Sequence, residues 1–225
     1  RTITLTGNDL TRADVAAFAR FDARIALDAQ GLAGVQRTAD FLAEQVRRGE
    51  PIYGVTTGFG SNADKLLGAH RARDELPGGN PEAVTGTLLE ELQRNLVVTH
   101  AVCVGEPFAP AVVRAMLAIR TTTPMRGHSG IRASTLQALA ALYNAGIVPV
   151  VPCKGSVGAS GDLAPLSHLA IVLLGEGEAF LGGERMAGGE ALRRAGLAPV
   201  VLSFKEGLAL NNGTTQMLAC AALLV

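Results

Sequence analysis

The tripeptide Ala159-Ser160-Gly161 is where this chain's backbone could itself become a reagent. A peptide can cyclise when the nitrogen of residue i+2 reaches the carbonyl carbon of residue i. Glycine at i+2 has no Cβ to block that approach and accepts unusual dihedrals. Alanine at i keeps the other side small. Loss of water from the new ring and from the Ser160 hydroxyl would leave an exocyclic methylidene, an electrophile that no ordinary side chain provides. Asp162 follows directly and stands where it can cap a helix over 163–174. The triplet would then lie at a helix N-terminus, whose partial positive charge suits an electrophile.

Other readings of this stretch fit less well. A phosphate cradle needs G-x-x-x-x-G-K-[ST], or G-x-G-x-x-G after a strand. Here Lys154 precedes the glycines, which are spaced G-x-x-G-x-x-G at 155, 158 and 161. A nucleophile elbow needs G-x-S-x-G. Asp162 breaks that pattern around Ser160, and Ile131 breaks it around Ser129. An ordinary loop capping a helix stays open as the alternative.

A second glycine-rich stretch, Tyr53-Gly54-Val55-Thr56-Thr57-Gly58-Phe59-Gly60, cannot sustain a helix and reads as an ordered loop carrying one of the two tyrosines. Thr99-His100 closes an apolar helical stretch that begins near Leu88, and Lys205-Glu206-Gly207-Leu208-Ala209-Leu210-Asn211-Asn212-Gly213-Thr214 lies near the C-terminal end.

Residues 155–167, Gly-Ser-Val-Gly-Ala-Ser-Gly-Asp-Leu-Ala-Pro-Leu-Ser, resemble at thirteen consecutive positions the signature of the histidine and aromatic amino-acid ammonia-lyases. The Tyr53 loop resembles the family's Y-G-x-x-T-G-F-G. Residues 127–132 resemble its G-[YF]-S-G-I-R, with His128 in place of the aromatic, and residues 205–214 resemble its K-E-G-L-A-L-x-N-G-T. The resemblance implies that Ala159-Ser160-Gly161 becomes a 4-methylideneimidazol-5-one and that Asp162 assists its formation. It assigns Tyr53 as the base and Asn212 as a hydrogen-bond partner of the group. It places Thr99 and His100 at the substrate, His100 matching the histidine of a Ser-His pair that contacts imidazole in histidine-specific members. The expected reaction is non-oxidative deamination of L-histidine to trans-urocanate and ammonia. A phenylalanine or tyrosine lyase, or a 2,3-aminomutase, is the near alternative, because Thr99, Asn211 and Thr215 depart from the histidine-specific pattern. A non-catalytic helical assembly module is the alternative from another class.

That chemistry has two obstacles: an amine leaves poorly, and a β-hydrogen is barely acidic. An electrophile helps either by capturing the amine or by engaging the substrate ring, and the sequence does not choose. Holding a free phenol as phenolate at pH 7 costs about 4 kcal/mol, so positive helix ends or cations must stand near the base.

The frame that must position these residues is expected to be mainly α, with little strand. The chain has 225 residues, is 48% apolar and carries no net charge. Its mean hydropathy is +0.28. Nucleic acid and anionic membranes are therefore not the expected partners. Three separated cysteines and four histidines without H-E-x-x-H suggest neither a metal site nor a disulfide framework, and point to a reducing cytoplasm. No stretch reads as a signal peptide or membrane span.

A strand is expected over 2–6 and a helix from a Thr11 N-cap to Arg20. Val35, Ala39, Leu42 and Val46 mark one face of the next helix. Residues 71–87 are expected to form a mobile loop, and the helix from Leu88 to run to about Gly105. Further helices are expected from Pro110, up to Asn144 and over 190–195, with a hairpin over 179–187. We place a domain boundary at 201, with residues 202–225 starting a central bundle. Met217 to Val225 is unbroken apolar sequence that needs burial. This suggests a piece of a longer polypeptide, roughly half of a family member and inactive alone. The resemblance implies a homotetramer with shared active sites.

Overall fold

A computed structural model describes residues 1–59, 81–157 and 162–224. The fold is mainly α, as expected. Thr11 accepts from the Asp14 amide while the Asp14 carboxylate accepts from the Thr11 amide, and this capping box opens helix α1 (Arg12–Arg20). On either side of it, strands β1 (Thr2–Leu5) and β2 (Arg24–Leu27) pair in parallel, Thr2 opposite Arg24. Asp28 caps helix α2 (Ala29–Arg47).

Helix α3 (Pro81–His100) corrects two expectations. It starts at Pro81, inside the stretch expected to be a loop; proline needs no amide partner at a helix's first position. It also ends at His100, because residues 104–107 form strand β3 (Val104–Pro107) against β5 (Pro152–Lys154). The rest of that expected loop, 71–80, lies outside the described residues.

Helix α4 (Pro110–Thr122) is the hub. Every residue from Ala115 to Thr122 is buried, so the helix has neighbours all round. α1 packs along it, as do α5 (Ala133–Asn144) and α9 (Thr215–Leu224). Strand β4 (Val148–Pro149) joins the expected hairpin, β6 (Glu178–Leu181) and β7 (Glu184–Ala187), in a three-stranded antiparallel sheet. Helix α7 (Gly188–Arg194) follows it. The remaining helices, α6 (Leu163–Leu173) and α8 (Glu206–Asn211), pack on each other and on α3. That three-helix contact is where the site forms. Among the described residues no helix is long and apolar enough to cross a membrane.

Candidate active site

Hydroxyls inside the Tyr53 loop shape it. The Thr56 hydroxyl accepts the Ile52 amide at 2.7 Å and donates to the Glu50 carbonyl at 2.7 Å. The Thr57 hydroxyl accepts the Gly54 amide at 3.3 Å. Gly54 takes φ +66°, and a Cβ there would lie 2.3 Å from the Phe59 ring, so only glycine fits behind Tyr53. The Tyr53 ring meets Phe59 edge-on at 6.0 Å and is 53% exposed.

Gln93, fully buried on α3, ties this loop to α8. Its Nε2 donates to the Gly54 carbonyl at 3.1 Å, and its Oε1 accepts the Gly207 amide at 3.0 Å. One side chain thus sets the spacing between the tyrosine loop and the helix that leads into Asn212. It was not singled out from the sequence, where one glutamine on a helix carries no special signal.

These contacts converge on a cleft of about 540 Å³. Tyr53, Thr99, His100 and Asn212, four of the expected site residues, all line it. Arg120, Ser129, Leu163 and Lys205 line it too. His128, which replaces the family's aromatic, is exposed and not part of the lining; Ser129 faces the cleft instead. At the end of α3 the His100 Nδ1 lies 2.8 Å from the Leu96 carbonyl. A carbonyl can only accept, so Nδ1 carries the proton and Nε2 of the neutral ring is an acceptor. The Thr99 hydroxyl donates to the Asn95 carbonyl at 2.6 Å. Asn211 and Thr215, the two departures near the C-terminal end, are buried and absent from the lining. Asn211 instead donates to Ser167 on α6 at 3.1 Å.

Ala159, Ser160 and Gly161 lie outside the described residues, but their flanks are fixed. Asp162 is 3% exposed at the start of α6. It occupies the N-cap position without capping through its side chain. Its carboxylate reaches back across the gap, accepting from the Ser156 hydroxyl and, at 3.2 Å, from the Val157 amide. Residues 157 and 162 are thereby clamped together, and Leu163, one residue on, lines the cleft. Asn212 lines the same cleft.

Charge in the cleft is one-sided. Arg120 is 4% exposed, and burial pulls its pKa down to about 10. Lys205, at φ +68° where α8 begins, is also lowered by burial. No Asp or Glu stands among the described lining residues. Behind the cleft, Glu206 is fully buried and accepts from Arg132 Nε at 3.0 Å and Nη2 at 2.7 Å, from the Thr135 hydroxyl at 2.8 Å and from the Ser203 amide at 2.7 Å. This anchors the 127–132 loop to α8.

A mainly helical frame with a tyrosine, a histidine and an asparagine converging on one cleft beside the start of α6 defines a class of enzyme. The aromatic amino acid lyase family model matches residues 10–225, and the chain belongs to that family. It is 48% identical to a histidine ammonia-lyase of Symbiobacterium thermophilum over 217 residues, 96% of this chain and 39% of the relative. The structure of histidine ammonia-lyase from Trypanosoma cruzi superposes with a TM-score of 0.83 at 35% identity, covering 99% of this chain and 40% of that one. Tyrosine aminomutase from Streptomyces globisporus does so with a TM-score of 0.85 at 34% identity, covering 100% and 39%. The chain thus spans about two fifths of the length of the relatives it matches.

Proposed function

We propose that the protein carrying this chain is a histidine ammonia-lyase that converts L-histidine to trans-urocanate and ammonia. The observation that carries the reading is the convergence of Tyr53, Thr99, His100 and Asn212 on one cleft beside the start of α6. The 48% identity to a histidine ammonia-lyase supports it. In this reading Ala159, Ser160 and Gly161 form a 4-methylideneimidazol-5-one, which supplies an electrophile when present. Asp162, which accepts from Ser156 and Val157, assists ring closure. The Asn212 side chain orients the group by hydrogen bonding. Tyr53 takes the β-proton. His100 offers Nε2 to the imidazole N–H of the substrate, with Thr99 beside it. No metal or nucleotide takes part. We place the start of the central helical bundle at residue 202, after an N-terminal domain over 1–201, and we propose a soluble, cytoplasmic homotetramer.

The similarity to a tyrosine aminomutase, with Thr99 in place of serine, supports a second reading: a phenylalanine or tyrosine lyase, or an aminomutase, with the same electrophile. One experiment separates these. The whole protein is incubated with histidine, phenylalanine and tyrosine, and the conjugated acrylate and β-amino acid products are assayed. Intact mass is taken in parallel, since ring formation removes two waters. Histidine turnover with the mass deficit is expected. An unmodified mass in an active preparation would sink the electrophile, and a mass without the deficit in an inactive one would favour the assembly module.

A further inference from the structure

Among the described residues Arg120 is a charge without a counter-charge. It sits on the last turn of α4, 4% exposed, and no carboxylate pairs with it among the described residues. Its Nη1 donates to the Asn212 carbonyl at 2.7 Å, and its Nε has no partner among the described residues. A Cβ added to Gly213 would lie 3.0 Å from Nη1, so the 212–213 peptide rests directly on the guanidinium. Burial lowers its pKa only to about 10, which leaves it cationic at neutral pH. A buried, unpaired cation is strongly unfavourable. A neutral amide donor could make the same hydrogen bond to Asn212, so that bond does not account for the charge. Lys205 adds a second cation at the cleft with no hydrogen-bond or ion-pair partner among the described residues, and the described lining holds no acid to offset either.

We propose that Arg120 is a positioning residue that also acts electrostatically. It fixes the Asn212 main chain from below and, with Lys205, keeps the cleft positive so that negative charge developing there during turnover is stabilised. The inference rests on the lyase reading above. Lost turnover together with unchanged or improved stability is the signature of such a residue, because the fold carries the charge at a cost that only the reaction recovers.

The test uses the whole protein with Arg120→Gln and Arg120→Lys, read by steady-state kinetics, thermal unfolding and intact mass. Arg120→Gln is expected to lower kcat about 10²-fold with KM within a few-fold, by analogy with loss of one charge-stabilising donor. It should keep the two-water deficit and unfold at the same or a higher temperature. Arg120→Lys should recover at least about tenfold of that kcat by restoring the charge. The proposal is overturned if Arg120→Gln unfolds at a lower temperature with kcat unchanged, or if the lysine variant is no better than the glutamine variant. A wild-type protein that neither turns over any of the three amino acids nor shows the mass deficit overturns the lyase reading and the catalytic half of this inference. The unfolding arm still decides the other half, since a lower unfolding temperature for Arg120→Gln would make Arg120 merely structural.

Discussion

In the proposed reaction Ser160 and Tyr53 have separable roles, so their variants should fail differently. Ser160→Ala has no hydroxyl to lose as water, so the methylidene cannot form. Its intact mass should lack the full two-water deficit, and turnover should fall by orders of magnitude with the fold retained. Tyr53→Phe should keep the deficit and lose turnover, since the ring still packs against Phe59 while the proton acceptor is gone. A Tyr53→Phe variant working at nearly the wild-type rate would remove Tyr53 from the mechanism. His168 presents a different chemistry at the same scale. Its Nε2 accepts the Cys103 amide at 3.1 Å, which requires that nitrogen to be unprotonated, and burial holds its pKa below the ordinary histidine value. The unfolded chain takes up this proton near pH 6.5, and the folded chain only at lower pH. The stability from this contact is therefore complete above about pH 6.5 and is lost as pH falls through the depressed folded value. Unfolding temperatures measured from about pH 8 to 5 should fall more steeply for wild type than for His168→Gln; parallel curves would show that His168 contributes nothing to acid sensitivity.

Between elements, the site depends on two buried connections. Gln93→Leu keeps approximate size but strands the Gly54 carbonyl and the Gly207 amide, each at about 1–3 kcal/mol. The same change frees the tyrosine loop from α8, so kcat should fall further than stability alone explains; a stability loss with unchanged kcat would mean the loop holds itself. Arg132→Ala leaves the fully buried Glu206 without its cation, which should cost about 3 kcal/mol in urea unfolding. These connections explain what the sequence concealed. The Thr11 capping box, the hairpin around Gly182-Gly183 and the helix from Pro110 were legible because their signals are local. Gln93 and Arg120 were not, because a polar residue on a helix does not reveal its partners until its neighbours are known. Strand β2 was hidden for the same reason: Arg24-Ile-Ala-Leu27 is a strand only because β1 lies beside it. Asp162 stands at the head of α6 as its sequence position suggested, but its carboxylate turns back to Ser156, a tertiary contact that no local signal announces.

At the scale of the molecule, α9 is the informative element. Its inner side is settled: Ala219 is fully buried, the helix packs on α1 and α4, and Arg20 donates to the Leu223 carbonyl at 2.8 Å. Its other side is not: Met217 is 42% exposed, Leu218 52% and Leu224 86%. Burying one such side chain fully contributes about 1.5–3 kcal/mol, so three on one short helix form a substantial unused surface. The relatives are about two and a half times as long as the matched region. We expect the whole protein to cover this face with its further helices, within one protomer or across the proposed tetramer. The same argument predicts that residues 1–225 alone, which hold Tyr53, His100 and Asn212 but leave this face open, show no measurable turnover. Leu218→Cys reports directly on the cover, in a background where the exposed Cys153 is replaced by serine. In residues 1–225 alone, the new thiol should react with a maleimide at a rate near that of a free cysteine. In the whole protein it should be protected by at least about 10²-fold, matching a site that opens only by local unfolding. Equal labelling rates in the two forms would mean that α9 faces solvent in both, and that the site is assembled without this helix serving as an interface.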